Sequence, residues 1–300
     1  MKTNQLLAFV AVAEHASIRG AARVLGISQP AVTKIVRELE RALGAPLVER
    51  SVKGVRLTPY GEAFAPRARL LLADMRRARE EIEQLRDGVT GRIALAVSTS
   101  AALTVLPAAF RAFHARLPAV DVHISEAVLP WMLTRMRDGT LDLAVAHVAP
   151  QGLDPEFEAL PLFPVRLAVG MRAGHPLRHC RSLIELHGAE WILPGEGEMA
   201  RESVAPIFSP MGLTPPARII FGNSVTVALG LVGEMDLVGL FVEPLVDVSF
   251  RRYGVRRIEV RETLPTLTMC VIKRRGQQLT PAAQQFVECI QSAAVPHAAG

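Results

Sequence analysis

The sequence predicts a mixed α/β chain in three parts. A small helical domain closes with a winged helix-turn-helix, one long linker helix follows, and the C-terminal half forms two α/β subdomains. Three observations carry this reading. Between Ser17 and Gly44 two capped helical patterns are separated by one tight turn, and a short β-prone stretch follows. From Phe64 to Leu85 apolar residues recur alternately four and three apart. From Gly91 onward, short apolar runs alternate with helical runs in the grammar of βαβ units, which implies a mostly parallel sheet with helices on both faces. The expected boundaries are 1–58, 59–89, 90–163 with 269–300, and 164–268.

Composition narrows the class. Three hundred residues, half of them apolar, suffice for more than one buried core. Charges interrupt every apolar run before membrane-spanning length, so no transmembrane helix is expected. Cys180, Cys270 and Cys289 are few, odd in number and far apart, which favours a reducing compartment, the cytoplasm, over a disulfide framework. Residues 1–58 hold nine cations against four anions, so the whole net charge of +5 sits there and points to a polyanionic partner. Lys2 and the run Leu6–Ala13 imitate a signal peptide. However, Leu6, Phe9, Val10 and Ala13 keep one helical face, and the charges from Glu14 lead directly into another capped helix.

The first helix is expected over about Thr3–His15. Ser17 caps a second, Ile18–Leu25, which Gly26 ends, and Ala21 and Ala22 give it a small-residue face that lets a neighbour approach closely. Ser28 then caps the helix on which the domain turns, with Pro30 tolerated in its first turn. Val32, Ile35, Val36, Leu39 and Leu43 form its apolar face; Gln29, Thr33, Lys34 and Arg37 form a polar row able to bond base edges and neutralise phosphates. After Gly44, Leu47–Val48 and Val55–Leu57 read as two short strands around a cationic tip containing Arg50 and Lys53, suited to phosphate or the minor groove.

The segment from Ala21 to Glu62 resembles the winged helix-turn-helix of LysR-type transcriptional regulators. The resemblance rests on the joint spacing of Ala21-Ala22, Ser28-Gln29-Pro30-Ala31, Leu39-Glu40, Leu47, Arg50 and Leu57-Thr58 with Gly61. It implies a DNA-binding regulator of promoter DNA, not an enzyme, with base contacts from Gln29, Pro30, Thr33 and Lys34 and backbone contacts from Arg50 and Lys53. Family members more often carry Ser and Arg where this chain has Thr33 and Lys34, and a lysine lacks arginine's planar fork to guanine. The resemblance also implies tetramers, activation of a divergent neighbouring gene, and RNA polymerase as a further contact.

Thr58 caps and Pro59 opens a helix expected to reach Asp87, locally bent at Pro66. Phe64, Ala68, Leu71, Met75, Ala78, Ile82 and Leu85 form an a/d seam flanked by charges, which favours a homodimer through this helix. Packing of the helix on its own domain is the alternative. Two copies would present two recognition helices to two half-sites.

In the C-terminal half, strands are expected at Ile93–Val97, Val120–Glu126, Leu141–His147, Arg166–Met171, Trp191–Leu193, Arg218–Phe221, Leu237–Phe241 and Thr266–Lys273. Helices are expected over Ala102–Leu117, Pro130–Asp138, Met199–Met211, Ser224–Glu234 and Pro281–Ala293, with the chain crossing between subdomains near Leu162–Pro164 and Thr266–Thr268. This arrangement resembles the periplasmic-binding-protein-like effector domain of the same family, although Glu234-Met235-Asp236 stands where members commonly carry glycines. Ligands in such folds bind at strand C-terminal ends. Ser98, Thr99, Ser100, Val128 and His147 then line one wall, and Met199, Arg201, Asn223, Ser224 and Val225 the other. Hydroxyls and free helix N–H groups suit a small organic acid, with Arg201 as a candidate counter-charge. No cofactor is expected beyond such an effector.

Two enzyme-like features weigh little. His175, His179 and Cys180 invite a zinc reading, but Pro176 interrupts any regular helix and no fourth ligand is evident. No nucleophile elbow, Walker loop or dinucleotide fingerprint after a strand is present. The competing function is a small-molecule-binding or enzymatic α/β protein with an incidental helical N-terminus. Charge segregation and the chemistry of the Ser28-capped helix argue against it.

Overall fold

Helices α1 (Thr3–His15), α2 (Ile18–Leu25) and α3 (Gln29–Leu43) begin and end where short-range chemistry dictates. Ser17 Oγ accepts from Gly20 N and Ser28 Oγ from Ala31 N, while Gly26 and Gly44 close α2 and α3 in the left-handed conformation. In this computed structural model, residues 1–51, 54–87, 90–150, 152–194, 197–222 and 224–298 are described; residues 50, 51, 85, 87, 194, 197–200, 202, 203, 247 and 248 are described by backbone alone. Strands β1 (Val48–Ser51) and β2 (Gly54–Leu57) pair antiparallel, Val48 opposite Leu57 and Ser51 opposite Gly54. The two strands are therefore longer than the apolar residues alone suggested. The ladder runs through Glu49 and Arg50, because backbone pairing does not require apolar side chains.

Helix α4 (Pro59–Asp87) runs unbroken through Pro66. Its first turns carry the wall of a core made by Leu6, Phe9, Leu39, Leu47, Ala65 and Ala68, with Phe64 against Phe9 at 5.4 Å between ring centroids. The seam therefore divides. Phe64 and Ala68 pack on their own domain, whereas Leu71, Met75 and Ile82 stand 41, 49 and 63% exposed. Leu43, expected on the buried face of α3, is 42% exposed; it is the last residue before the reversal at Gly44, and Leu39 and Leu47 fill that space instead.

The described chain separates into two units, Met1–Gly88 with Thr134–Leu141, and Val89–Leu133 with Asp142–Gly300. Helix α4 begins inside the first unit's core. Gly139, at φ +74°, lies against α4 where a Cβ would stand 2.6 Å from that of Ala73, which explains why its segment groups with the first unit.

The second unit holds two five-stranded sheets. One runs β4-β3-β5-β12-β6, from β3 (Gly91–Val97), β4 (Val120–Glu126), β5 (Leu143–Val148), β6 (Phe157–Val165) and β12 (Leu267–Arg274). The other runs β11-β7-β10-β8-β9, from β7 (Leu167–Arg172), β8 (Glu190–Pro194), β9 (Ile219–Gly222), β10 (Leu237–Val242) and β11 (Val255–Ile258). Each sheet has two parallel and two antiparallel junctions, so they are mixed rather than mostly parallel. In the first sheet β12 returns from the second and runs against β5 and β6, and in the second sheet β7 runs against both β10 and β11.

The remaining α-helices among the described residues are α5 (Thr99–Leu103), α6 (Val105–Arg116), α7 (Leu129–Arg137), α8 (Leu183–Leu186), α9 (Gly197–Phe208), α10 (Val225–Glu234) and α11 (Pro281–Ala298). The single helix expected over Ala102–Leu117 is split at Thr104, whose hydroxyl and N–H both bond the Ser100 carbonyl. Phe113 of α6 meets Phe286 of α11 edge-on at 5.2 Å over the first sheet, and Trp191 meets Phe208 in the second core at 5.5 Å. Two strands escaped the sequence reading, and the physical reasons differ. Pro161 and Pro164 mask β6, tolerated because β6 is an edge strand, and Arg256 and Arg257 mask β11, the edge of the other sheet. Where glycines were expected, Asp236 instead takes both Nε and Nη2 of Arg172, at 2.8 and 2.6 Å. No helix among the described residues is long and apolar enough to cross a membrane.

Candidate nucleic-acid interface and ligand site

The first site is the outer face of α3. Val32, Val36 and Leu39 are buried, which turns Gln29, Pro30, Lys34 and Arg37 outward with Thr33 half-buried beside them. These five residues line one shallow groove with Ile18, Glu40, Arg41 and the turn 44–46. An amide, a hydroxyl and three cations on one exposed helical face can donate to base edges and to phosphate oxygens.

Arg50 lies on β1 opposite Val55, so the backbone brings it to the wing, and its side chain is not described; Lys53 lies outside the described residues. The wing is tied at both ends. Val55 N donates to the Ala16 carbonyl at 2.9 Å, and Gly54, at φ +123°, lies where a Cβ would stand 2.7 Å from that same oxygen. At the other end, Glu40 Oε1 accepts from Leu47 N at 2.8 Å and Val48 N at 3.1 Å. Sequence reading missed Glu40 as an anchor, because its partners are seven and eight residues away across a glycine turn and no periodicity links them.

The second site lies at the C-terminal ends of the first sheet. Ser98 Oγ accepts from Ala101 N and stands 3.3 Å from Ser100 Oγ, which is 2.7 Å from His147 Nε2. Thr99 Oγ1 donates to Glu126 Oε1 at 2.6 Å. Thus Ser98, Ser100 and His147 converge, whereas the Thr99 hydroxyl is taken by Glu126. Burial pushes the His147 imidazole down to about 4, so it is neutral near pH 7 and offers one donor and one acceptor. The helix start expected at Ala102 is at Thr99, and α5 is only five residues long, so the chemistry of this wall rests on hydroxyls and imidazole. Val128 is half-buried, and its carbonyl receives Met132 N.

On the second sheet's side, Arg201 Nη1 donates to the Pro216 carbonyl at 2.9 Å, and its guanidinium lies 5.7 Å from the Phe221 ring centroid. Its geometry is thus fixed by its own subdomain. Ser224 Oγ caps α10 through Val227 N, with Val225 half-buried next to it. Met199 is described by backbone alone in α9, and Asn223 lies outside the described residues. His175 is buried, with Nδ1 accepting from Leu177 N at 2.9 Å; among the described residues, no group of three or more His, Cys, Asp or Glu could hold a metal ion.

Comparison with known proteins gives one family. The LysR substrate binding domain matches residues 86–295, and the bacterial regulatory helix-turn-helix of the lysR family matches residues 3–62. The chain is 30% identical over 297 residues to the transcriptional regulator GbpR of Azospirillum brasilense, covering 98% of this chain and 86% of that protein. It is 31% identical over 264 residues to TfdS of Cupriavidus pinatubonensis, covering 87 and 88%. Among solved structures, the fold is similar to CbnR, a LysR family transcriptional regulator, with a TM-score of 0.70 at 23% identity over 98% of this chain and 99% of that one. It is also similar to full-length CbnR complexed with its target DNA, with a TM-score of 0.67 at 23% identity and 98 and 100% coverage. An exposed polar row on a capped helix, a pinned wing and two mixed sheets beyond a long helix thus meet in one assignment: the chain belongs to the LysR family of DNA-binding transcriptional regulators, with an N-terminal helix-turn-helix and a C-terminal effector-binding domain.

Proposed function

We propose that residues 1–58 read an operator, that 59–89 join two copies, and that a small organic acid bound by the two α/β subdomains (90–163 with 269–300, and 164–268) controls activation of a promoter. The observation that carries the DNA reading is the outward row on α3 beside the pinned wing. Gln29, Pro30, Thr33 and Lys34 contact bases, and Arg50 and Lys53 contact the backbone. The exposed Leu71, Met75 and Ile82 support the dimer, since an apolar stripe along a helix gains from a partner. Two such dimers on adjacent half-sites make the tetramer.

The hydroxyl array Ser98–Ser100 with neutral His147 supports a ligand recognised by hydrogen bonds, and a carboxylate suits donors of that kind. Its effect on DNA requires different affinity for two conformations of the protein. The test is to footprint the promoter nearest the gene while titrating a panel of organic acids, and to follow melting temperature and DNA bending together. One acid should raise the melting temperature and change the bend, and Ser100→Ala should weaken both responses. Saturable binding with neither a change in occupancy nor in bending would remove the coupling.

A further inference from the structure

The C-terminal half of the recognition helix ends in a joint that DNA contacts alone do not explain. One carboxylate oxygen of Glu40 accepts both Leu47 N and Val48 N, at 2.8 and 3.1 Å. From the same short stretch, the Leu47 carbonyl receives Thr58 N at 3.0 Å and the Pro46 carbonyl receives Thr58 Oγ1 at 2.6 Å. Thr58 Oγ1 in turn accepts from Gly61 N at 3.1 Å and caps α4. Residues 46–48 are thus held from one side by α3 and from the other by Thr58 at the start of α4, and the first wing strand begins at Val48.

Glu40 is an unexpected choice for this place. It lies in the groove that faces outward with Gln29, Lys34, Arg37 and Arg41, where a negative charge opposes a polyanion. Among the described residues it forms no ion pair with Arg37 or Arg41; its carboxylate is turned to the two wing amides. A carboxylate that weakens general attraction to DNA yet bonds two backbone donors acts through geometry. We infer that Glu40 is a positioning residue for DNA recognition. It holds the wing and the start of α4 at a fixed angle to the recognition helix, so that base contacts from α3 and backbone contacts from the wing are made together. It thereby trades general affinity for specificity. This rests on the reading of α3 and the wing as the DNA-binding surface.

Two substitutions in the full-length protein separate reach from charge. Glu40→Gln keeps an acceptor at the same distance and removes the charge; Glu40→Asp keeps the charge and withdraws the oxygen by one methylene. Affinity is measured for the operator and for unrelated duplex at the same salt, with a thermal melt confirming that each variant is folded. E40Q is expected to bind both DNAs roughly two- to threefold more tightly, leaving their ratio intact. E40D is expected to lower the operator-to-unrelated ratio roughly tenfold through the operator alone, and to lose hydroxyl-radical protection on the wing side of the footprint. An E40D ratio equal to that of the native protein would overturn the inference, as would an E40Q ratio reduced as far as that of E40D. If neither native protein nor variants distinguish operator from unrelated DNA, the underlying DNA reading fails instead.

Discussion

Gly61→Ala offers the sharpest test of the packing between wing and long helix. A Cβ at this position would stand 2.0 Å from the Leu47 carbonyl oxygen, 3.0 Å from its carbon and 3.3 Å from Leu57 Cβ. An ordinary carbon–oxygen contact is about 3.3 Å or longer, so something must move by about 1.3 Å. Leu47 cannot easily do so: its side chain is buried, its N–H is held by Glu40 and its carbonyl receives Thr58 N. Overpacking against backbone costs about 3 kcal/mol, the top of the usual range, and loss of the Thr58–Leu47 hydrogen bond adds about 1. Replacing glycine by alanine inside a helix returns about 1 kcal/mol. The net is about 3 kcal/mol, a fall of roughly 12 °C or more in the midpoint of a domain this small. Both tryptophans, Trp131 and Trp191, lie in the second unit, so tryptophan fluorescence reports that unit while far-UV circular dichroism also follows the N-terminal helices. The variant should show an early dichroism transition with an unchanged fluorescence transition. A dichroism melt within 2 °C of the native protein would refute the reasoning.

Other expectations follow from single features. Gly230, in α10, has nothing within 4 Å of a built Cβ and no positive φ, so Gly230→Ala should stabilise the second unit by about 1 kcal/mol in urea unfolding followed by tryptophan fluorescence. His147 is held near 4 when folded and lies near 6.5 when unfolded, so below pH 6.5 the unfolded chain takes up a proton that the folded one refuses. Stability contributed by this residue is complete above that pH and falls as pH drops towards 4, by about 2 kcal/mol between pH 7.5 and 5. The buried His175, also shifted down, acts in the same direction, and His147→Gln should flatten the larger part of the dependence in urea melts. Finally, Lys53→Ala should weaken binding to all DNA sequences and reduce the slope of affinity against salt by about one, whereas a change in base preference would contradict its backbone role.

The legibility of each feature followed the range of the interaction behind it. Ser17, Ser28, Gly26 and Gly44 act on neighbours within a few residues, and they placed α2 and α3 correctly. Short apolar runs marked the other strands of the C-terminal half, but β6 with its prolines and β11 with its arginines are strands only because a neighbour in the sheet accepts them as edges. The hydroxyls at 98–100 were legible as a cap; that His147 lies 2.7 Å from Ser100 depends on two parallel strands lying side by side.

Residue types and their spacing are enough for the local grammar: caps, turns, the outward row of α3 and the charge gathered in the first 58 residues. Packing of distant segments is what brings Glu40 across to Leu47 and Val48, leaves Leu43 exposed while Leu47 is buried, and turns Arg201 to Pro216 and Phe221. A hydrogen bond between neighbours along the chain is fixed by residue type and spacing. One between distant segments exists only after the core has chosen which faces meet.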